Sequence, residues 1–492
     1  MNDSSRRALD TAFAAASPRL APPFTPARTV LIHGVVLLAW IALTAMAFGV
    51  GGVWSWSVGV AYIAYDTVLL LFVAWATWPI LRPAPTHAPD RPRATLGVIV
   101  AAHDEVAVLP VTLAALMAQT DAPDRIVIAD DGSTDGTAAL LAERYGLIAP
   151  PVGEISDASS VHPHLHWLRL AHGGKAAALN AAIVRMDTDT VLTVDADTLL
   201  DPHAIAAVRR AFSAEPALVA ATGVITPVCS RSWSGRCFEW FQTYEYIRNF
   251  LSRYAWMRLN GLLLVSGAFA AFRLDAVRAV GGFDPACLVE DYELIHRLHR
   301  YAQAHGLPWR VRVLGDAQAR TEAPSSVPAF LRQRRRWFGG FLQTQYWYRA
   351  MVGDRRYGWL GVAMLPVKAI DTLQPLYGLA AFVLLLVYLV QGDLGVLAPV
   401  AGVIGAKIAL DLAFHLWSVQ LYRRWIGQRG AAGLLQAFMA ALVEPFSFQI
   451  LRHIGAALGW WTFLSRNGAW GRQKRVAAMD ADVQRTRARR ED

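Results

Sequence analysis

The chain has 492 residues, 54% of them hydrophobic and only 17% charged, with a formal charge of +9. So apolar a composition excludes an ordinary soluble enzyme of this length and points to membrane spans beside one soluble domain of roughly 200–250 residues. Where the Lys and Arg residues fall says more than their sum, and no nucleic-acid partner is expected.

Residues 1–28 are polar, Pro-rich and basic (Arg6, Arg7, Arg19, Arg28) and are expected to form a disordered tail on the cytoplasmic side. The first apolar run starts late, is long and lacks a small-residue cleavage site, unlike a signal peptide. Thr29 to Val50 and Val58 to Leu81 are each long enough to span a bilayer. With the uncharged turn at Trp54 and Trp56 they make a hairpin over 29–82. Asp66 lies inside the second span, so it is expected near an end, paired, or facing protein. Arg28 before the hairpin and Arg82, Arg91 and Arg93 after it put both ends, and the domain that follows, in the cytoplasm.

Residues 94–322 change to an α/β texture. Strands are predicted at Leu96 to Ala102, Arg125 to Asp130, Leu165 to Leu170 and Thr190 to Val194. Helices are predicted at Val106 to Gln119, Thr137 to Tyr145 and Lys175 to Met186. Strands alternating with helices imply a parallel, Rossmann-like sheet, whose ligands bind at the carboxyl ends of the strands. Cys229, Cys237 and Cys287 lack metal-ligand spacing and are expected as free thiols in a reducing compartment.

Residues 325–352 carry aromatic and basic side chains at helical spacing, as a helix lying along a membrane surface does. Within 359–464, Trp359 to Val390 is longer than one span; Pro366, Lys368, Asp371 and Pro375 interrupt its first half, which is expected to be interfacial or broken, with spans at about Leu376 to Val390 and at Val396 to Leu421. Glu444-Pro445 and Arg452-His453 split residues 432–464 into two interfacial or re-entrant helices. Residues 465–492 form a basic cytoplasmic tail.

Several motifs carry chemistry. Asp130-Asp131-Gly132-Ser133 follows a strand: either a capped turn, or carboxylates that bond a nucleotide base or ribose. Asp195-Ala196-Asp197 ends the next parallel strand, where two carboxylates can meet a ribose and a hard cation, Mg2+ or Mn2+. His172-Gly173-Gly174-Lys175 opens a helix and is either an ordinary glycine turn or a phosphate site, although it is no Walker A motif. Glu290-Asp291 is either an acidic first helical turn or the site of a general base. Gln333-Arg334-Arg335-Arg336-Trp337 is either an amphipathic surface helix or a diphosphate clamp beside an aromatic sugar platform.

The joint order of Asp-Asp-Gly-Ser, Asp-x-Asp, Glu-Asp and Gln-x-x-Arg-Trp resembles the processive membrane glycosyltransferases of family 2, the cellulose, chitin, hyaluronan and poly-N-acetylglucosamine synthases. The resemblance runs from about residue 30 to 460. It implies a glycosyltransferase-A domain inserted between membrane and interfacial helices, and an inverting transfer from a UDP-sugar to a growing β-linked polysaccharide, poly-N-acetylglucosamine-like by layout. Asp130 and Asp131 would meet the uridine, Lys175 the uridine or phosphate, Asp195 the nucleotide sugar and Asp197 the metal. Asp291 would be the base, supported by Glu290. Gln333 and Arg336 would hold the diphosphate and Trp337 would stack under the acceptor. Val265 to Phe269, with Gly267, and Gly281 to Asp284 would line the acceptor cleft.

One departure stands out. The family has Pro-x-Tyr/His-Asn-Glu after the first strand, whereas this chain has Ala101-Ala102-His103-Asp104-Glu105. With an Ala- and Arg-rich composition, the expected location is a bacterial inner membrane, with the bilayer and export or accessory membrane proteins as partners. The rival readings are a non-processive transferase that makes a glycolipid, and a catalytically idle scaffold or receptor.

Overall fold

A computed structural model describes residues 2–82, 92–428 and 434–465. The first element corrects the sequence reading. Residues 1–28 are not simply a disordered tail, because Asn2–Ala16 is a helix, α1. Leu9, Phe13 and Ala16 recur at helical spacing, and Leu9 and Ala16 are buried. Arg19 forks onto Asp284 at 2.7 and 2.9 Å. The Arg297 guanidinium lies 4.6 Å from the Phe13 ring centroid. Gly281 has φ +86°, and a Cβ there would sit 2.2 Å from the Phe13 backbone. The Gly281-Gly282-Phe283-Asp284 stretch, expected to line the acceptor cleft, is therefore a seat for α1. Two apolar helices follow, α2 (Ala27–Gly49) and α3 (Ser57–Thr77).

The α/β domain alternates as predicted through its first half: β1 (Leu96–Ala102), α4 (Leu109–Met117), β2 (Arg125–Asp130), α5 (Thr137–Tyr145), β3 (Leu165–Arg169), α6 (Lys175–Arg185) and β4 (Thr190–Asp195). It continues through β5 (Thr198–Leu200), α7 (Ala204–Ala214), β6 (Leu218–Val228), α8 (Trp233–Arg258), β7 (Phe269–Arg273), α9 (Leu274–Ala279), α10 (Glu290–Ala304) and β8 (Arg310–Glu322). The eight strands form one sheet in the order β3-β2-β1-β4-β7-β6-β8-β5. β1, β2, β3 and β4 run parallel, and β1, β2 and β4 are buried along almost their whole length because helices cover the sheet. β7 pairs antiparallel with β4 and β6, so the sheet is mixed. The main core cluster lies over these strands, with Trp167, Phe212, Phe269 and Phe272 wholly buried.

Burial on α10 has a consequence for pH. His296 is buried, with Nδ1 2.9 Å from the Tyr292 carbonyl, and burial pushes its imidazole down to about 3. Burial also lowers His299. Between pH 6.5 and about 3 the unfolded chain binds protons that folded His296 refuses, so stability falls as pH drops below about 6.5. The melting temperature is expected to fall between pH 7 and 5, and His296→Gln to flatten that slope in a pH series of melts.

After the sheet come α11 (Val327–Trp347), α12 (Leu365–Gln391), α13 (Leu394–Trp425), α14 (Leu434–Val443) and α15 (Phe448–Ser465). Among the described residues, four helical segments are long and apolar enough to cross a membrane: Ala27–Gly49, Gly52–Leu81, Leu360–Gln391 and Leu394–Trp425. The expected break in the first half of the third is absent. After a π-helical turn at Leu360–Met364, α12 runs unbroken through Pro375. Its two charges neutralise each other, Lys368 Nζ lying 2.6 Å from Asp371. A short 3₁₀ turn at Glu444–Phe446 separates α14 from α15, so this stretch is two helices and not one long span. The basic segment 466–492 lies outside the described residues.

Asp66 is paired. Lys407 Nζ on α13 sits 2.5 Å from its carboxylate and also holds Asp411, with the Lys407 side chain 9% exposed. Lys407→Met would strand two carboxylates beside apolar helices. It is expected to cost about 3–5 kcal/mol of stability, read as a lower melting temperature in detergent, and Asp66→Asn should restore part of it.

Candidate active site

The parallel register builds the site. Ala102 pairs with Asp130, and Ala101 with Asp195, so the acidic ends of β2 and β4 flank the end of β1. Asp130 is buried, and both its oxygens are engaged: Ser133 N–H donates to Oδ1 at 2.9 Å and Trp167 Nε1–H to Oδ2 at 3.1 Å. Asp131 accepts from the Gly173 and Gly174 N–H groups at 2.7 and 2.9 Å. The expectation that this glycine turn cradles a phosphate therefore needs correcting. The anion already bound to those two amides is Asp131 itself. Gly132, at φ +69°, allows the approach, since a Cβ there would lie 2.7 Å from His172 N.

The departure after β1 has a structural reason. Asp104 has φ +55°, a conformation that Asn and Asp both tolerate. Its carboxylate accepts from Thr134 N–H at 2.7 Å and Asp135 N–H at 3.3 Å. The bond from the Thr134 amide helps hold it below the usual carboxylate range. Beside it the His103 and His172 rings stack, centroids 4.3 Å apart. Among the described residues, His103, Asp131 and His172 bring ligand-type atoms within 4.8 Å of one another. That group sits at the Asp131 end of the pocket, apart from Asp-x-Asp.

Lys175, the first residue of α6, reaches across the pocket. Its Nζ lies 2.5 Å from Asp195 and 3.7 Å from Glu290. Burial opposes its charge, but Asp195 and Glu290 outweigh burial and the ammonium is held above its usual range. Asp197 is buried, its Oδ1 3.4 Å from the Thr321 hydroxyl. The Thr112 hydroxyl donates to the Ala196 carbonyl at 2.6 Å and pins the turn. Pairing of β5 with β8 sets Glu322 next to Asp197, its N–H 3.4 Å from the Asp197 carbonyl. Carboxylate oxygens such as those of Asp195 and Asp197 are the hard donors that a divalent cation of the Mg2+ or Mn2+ kind takes.

Glu290 and Asp291 open α10. Asp291 Oδ2 accepts from Gly267 N–H at 2.6 Å, and Oδ1 from Tyr292 N–H at 2.8 Å. Glu290 is buried; burial pushes its carboxyl up, against the pull of Lys175. Arg336 also acts on Glu290, and its Nη1 donates to the Leu288 carbonyl at 3.1 Å, tying α11 to the segment before α10. Gly340 permits that approach: a Cβ there would lie 2.4 Å from Val289. Gln333 has its amide oxygen buried without a hydrogen-bond partner. Trp337 is half-buried, and the Arg334 guanidinium lies 4.5 Å from its ring centroid. Arg334 is in turn held by Glu245 at 2.7 Å.

The structure thus joins Lys175, Asp195, Glu290 and Arg336 into one charged group, with Asp291 beside Gly267. Asp130 and Asp131 shape the neighbouring wall. Sequence reasoning missed Asp104, Glu322 and the ring of His172. An acid at a family Asn position was a signal for Asp104; strand pairing alone brings in Glu322. The three cysteines are free thiols, as expected.

Comparison with known proteins agrees with this geometry. The sequence pattern of Glycosyl transferase family 2 matches residues 97–281, and that of Glycosyl transferase family group 2 matches residues 190–397. A poly-beta-1,6-N-acetyl-D-glucosamine synthase of Staphylococcus epidermidis is 25% identical over 246 residues, 50% of this chain and 54% of that protein. Its namesake in Staphylococcus aureus strain COL is 28% identical over 243 residues, 49% and 53% of the two chains. The chain spans about half the length of the curated relatives it matches. A mannosyltransferase of Pyrobaculum calidifontis, solved with GDP-mannose and Mn2+, shares the fold at TM-score 0.52 and 20% identity, covering 80% of this chain and 99% of that one. The domain that carries the site matches the glycosyl transferase family 2 pattern over residues 97–281 and has the glycosyltransferase-A fold.

Proposed function

We propose, for a chain whose α/β domain matches the glycosyl transferase family 2 pattern, an inverting transfer from a UDP-sugar that extends a β-linked polysaccharide at a bacterial inner membrane. The observation that carries it is the convergence of Lys175, Asp195, Glu290 and Arg336 at the strand ends, beside Asp291 and against helices suited to a bilayer. The 25–28% identity to poly-N-acetylglucosamine synthases favours an N-acetylglucosamine polymer.

Asp291 removes the proton from an acceptor hydroxyl, and the two amides that hold its carboxylate aim it. The acceptor oxygen attacks the anomeric carbon from the face opposite the diphosphate. The bond from that carbon to the diphosphate oxygen breaks, the configuration inverts, and UDP leaves. Lys175, Arg336 and Gln333 hold the diphosphate, with charge-assisted bonds strongest in a water-poor site. Asp197, with Asp195, would hold Mg2+ or Mn2+, which supplies charge neutralisation at the diphosphate. Asp130 and Asp131 fix the wall of the uridine pocket, where the stacked His103 and His172 rings offer a base an aromatic surface.

Gly267→Ala tests the aim of the base. The new Cβ would lie 2.9 Å from Asp291 Oδ2 and displace the carboxylate. Transfer is expected to fall by up to about 100-fold with the circular dichroism spectrum unchanged. Full activity would show that Asp291 needs no such seat. The reading as a whole is tested by a donor screen on purified membranes followed by linkage and size analysis. A high-mass β-linked product supports polymer extension, and a single glycolipid species overturns it in favour of single transfer.

A further inference from the structure

The tryptophan of Gln-x-x-Arg-Trp rests on a buried ion pair. Among the arginines of 332–336, Arg332 and Arg335 are exposed, whereas Arg334 is buried and meets no lipid headgroup. Its guanidinium lies over the Trp337 ring, 4.5 Å from the centroid, and over the Phe330 ring at 4.6 Å. Phe330 is wholly buried and fixed by packing against Phe238 and Phe448. Glu245 of α8, also buried, accepts from Arg334 Nη2 at 2.7 Å. Gly455 of α15 makes room for the arginine stem, since a Cβ there would lie 2.5 Å from Arg334 Cβ.

Glu245 is itself held in place. Its second oxygen faces Arg452 Nη1 at 3.7 Å, and Arg452 Nη2 reaches Glu444 at 3.1 Å. Glu444 pairs with Arg248, one turn further along α8. Charges of alternating sign thus run from α8 through α15 and the Glu444 turn back to α8. The Arg334 guanidinium has a fixed anion and one fixed ring, and half-buried Trp337 is the partner left with room to turn. A cation over an aromatic face is attracted by the ring quadrupole, more strongly where water is excluded. Arg334 steadies the indole only while its own charge is paired, and among the described residues its ion-pair partner is Glu245.

We propose that Glu245 is a positioning residue for the acceptor: through Arg334 it fixes the orientation of the Trp337 ring on which the acceptor sugar stacks. This rests on the transferase reading, with Trp337 under the acceptor, and deepens it by naming what aims that ring. The donor side is held separately, because Arg336 is tied to the Leu288 carbonyl at 3.1 Å.

The test uses the full chain in detergent, with UDP-N-acetylglucosamine as donor and a β-1,6-linked N-acetylglucosamine tetrasaccharide as acceptor. Glu245→Gln is expected to raise the acceptor KM by about fivefold or more, the scale of a water-excluded cation–π contact. The donor KM, and UDP release to water without acceptor, should move less than twofold. A general packing defect would shift all three together; that result, or an unchanged acceptor KM, overturns the assignment. Because the effect runs through Arg334, adding Arg334→Met to Glu245→Gln should raise the acceptor KM no further. That double variant leaves no unpaired guanidinium at position 334 and takes over the assay if Glu245→Gln does not fold. In a Trp337→Ala background Glu245→Gln should change nothing more, and an added loss there rejects the proposal. Tetrasaccharide binding by isothermal titration needs no turnover. Weaker binding in Glu245→Gln supports the positioning role even if no UDP is released, an outcome that would sink the transferase reading alone. Equal binding by both proteins rejects the role.

Discussion

Asp291→Asn is expected to lower transfer by about 10²–10⁴ in rate, the loss that follows removal of a general base, while UDP binding stays near that of the wild type. The asparagine can keep one oxygen on the Gly267 amide, so geometry is conserved and basicity is removed. The contacts of Asp291 are to Gly267 and Tyr292, at 2.6 and 2.8 Å, and neither ties it to the donor group at Lys175. Glu290 is different. It lies between Lys175 and the reach of Arg336, so Glu290→Gln should weaken donor binding as well as rate. Single-turnover kinetics with isothermal titration of UDP separate the two. Near-normal turnover in Asp291→Asn would remove it from the role of base.

Asp197→Ala carries the second large effect. The residue is buried at the end of the Asp-x-Asp turn, which Thr112 pins through the Ala196 carbonyl. A cation that loses its anchoring carboxylate there no longer offsets the diphosphate charge, a contribution of several kcal/mol, or on the order of 10³-fold in rate. Activity and its dependence on added Mn2+ should disappear together. Asp197→Asn, close in shape, guards against a folding defect through its contacts to Thr198 and Thr321. Activity that persists and still responds to Mn2+ would put the metal elsewhere, with His103, Asp131 and His172 as the first place to look.

Much of the domain was legible because its strands are buried on both faces. Runs such as Leu96–Ala102 and Arg125–Asp130 are apolar almost throughout and end abruptly in acids, so strand, boundary and ligand side are read together. Other elements depend on partners that lie far away in the chain. Leu9, Phe13 and Ala16 make a stripe too thin to stand out in a polar segment, and α1 exists because the Gly281-Gly282 seat receives it. Pro375 reads as a break, yet flanking helices hold α12 continuous. Asp131 reads as a ligand for uridine, and strand pairing adds what the sequence does not show, that the glycine amides before α6 hold both its oxygens in place.

The most direct measurement incubates the purified chain with UDP-N-acetylglucosamine and Mn2+, and follows UDP release alongside the size and anomeric configuration of the product. The account predicts UDP release in step with growth of a high-mass β-linked polymer, both lost in Asp291→Asn. An α-linked product, or no UDP from any UDP-sugar with either Mg2+ or Mn2+, would contradict it.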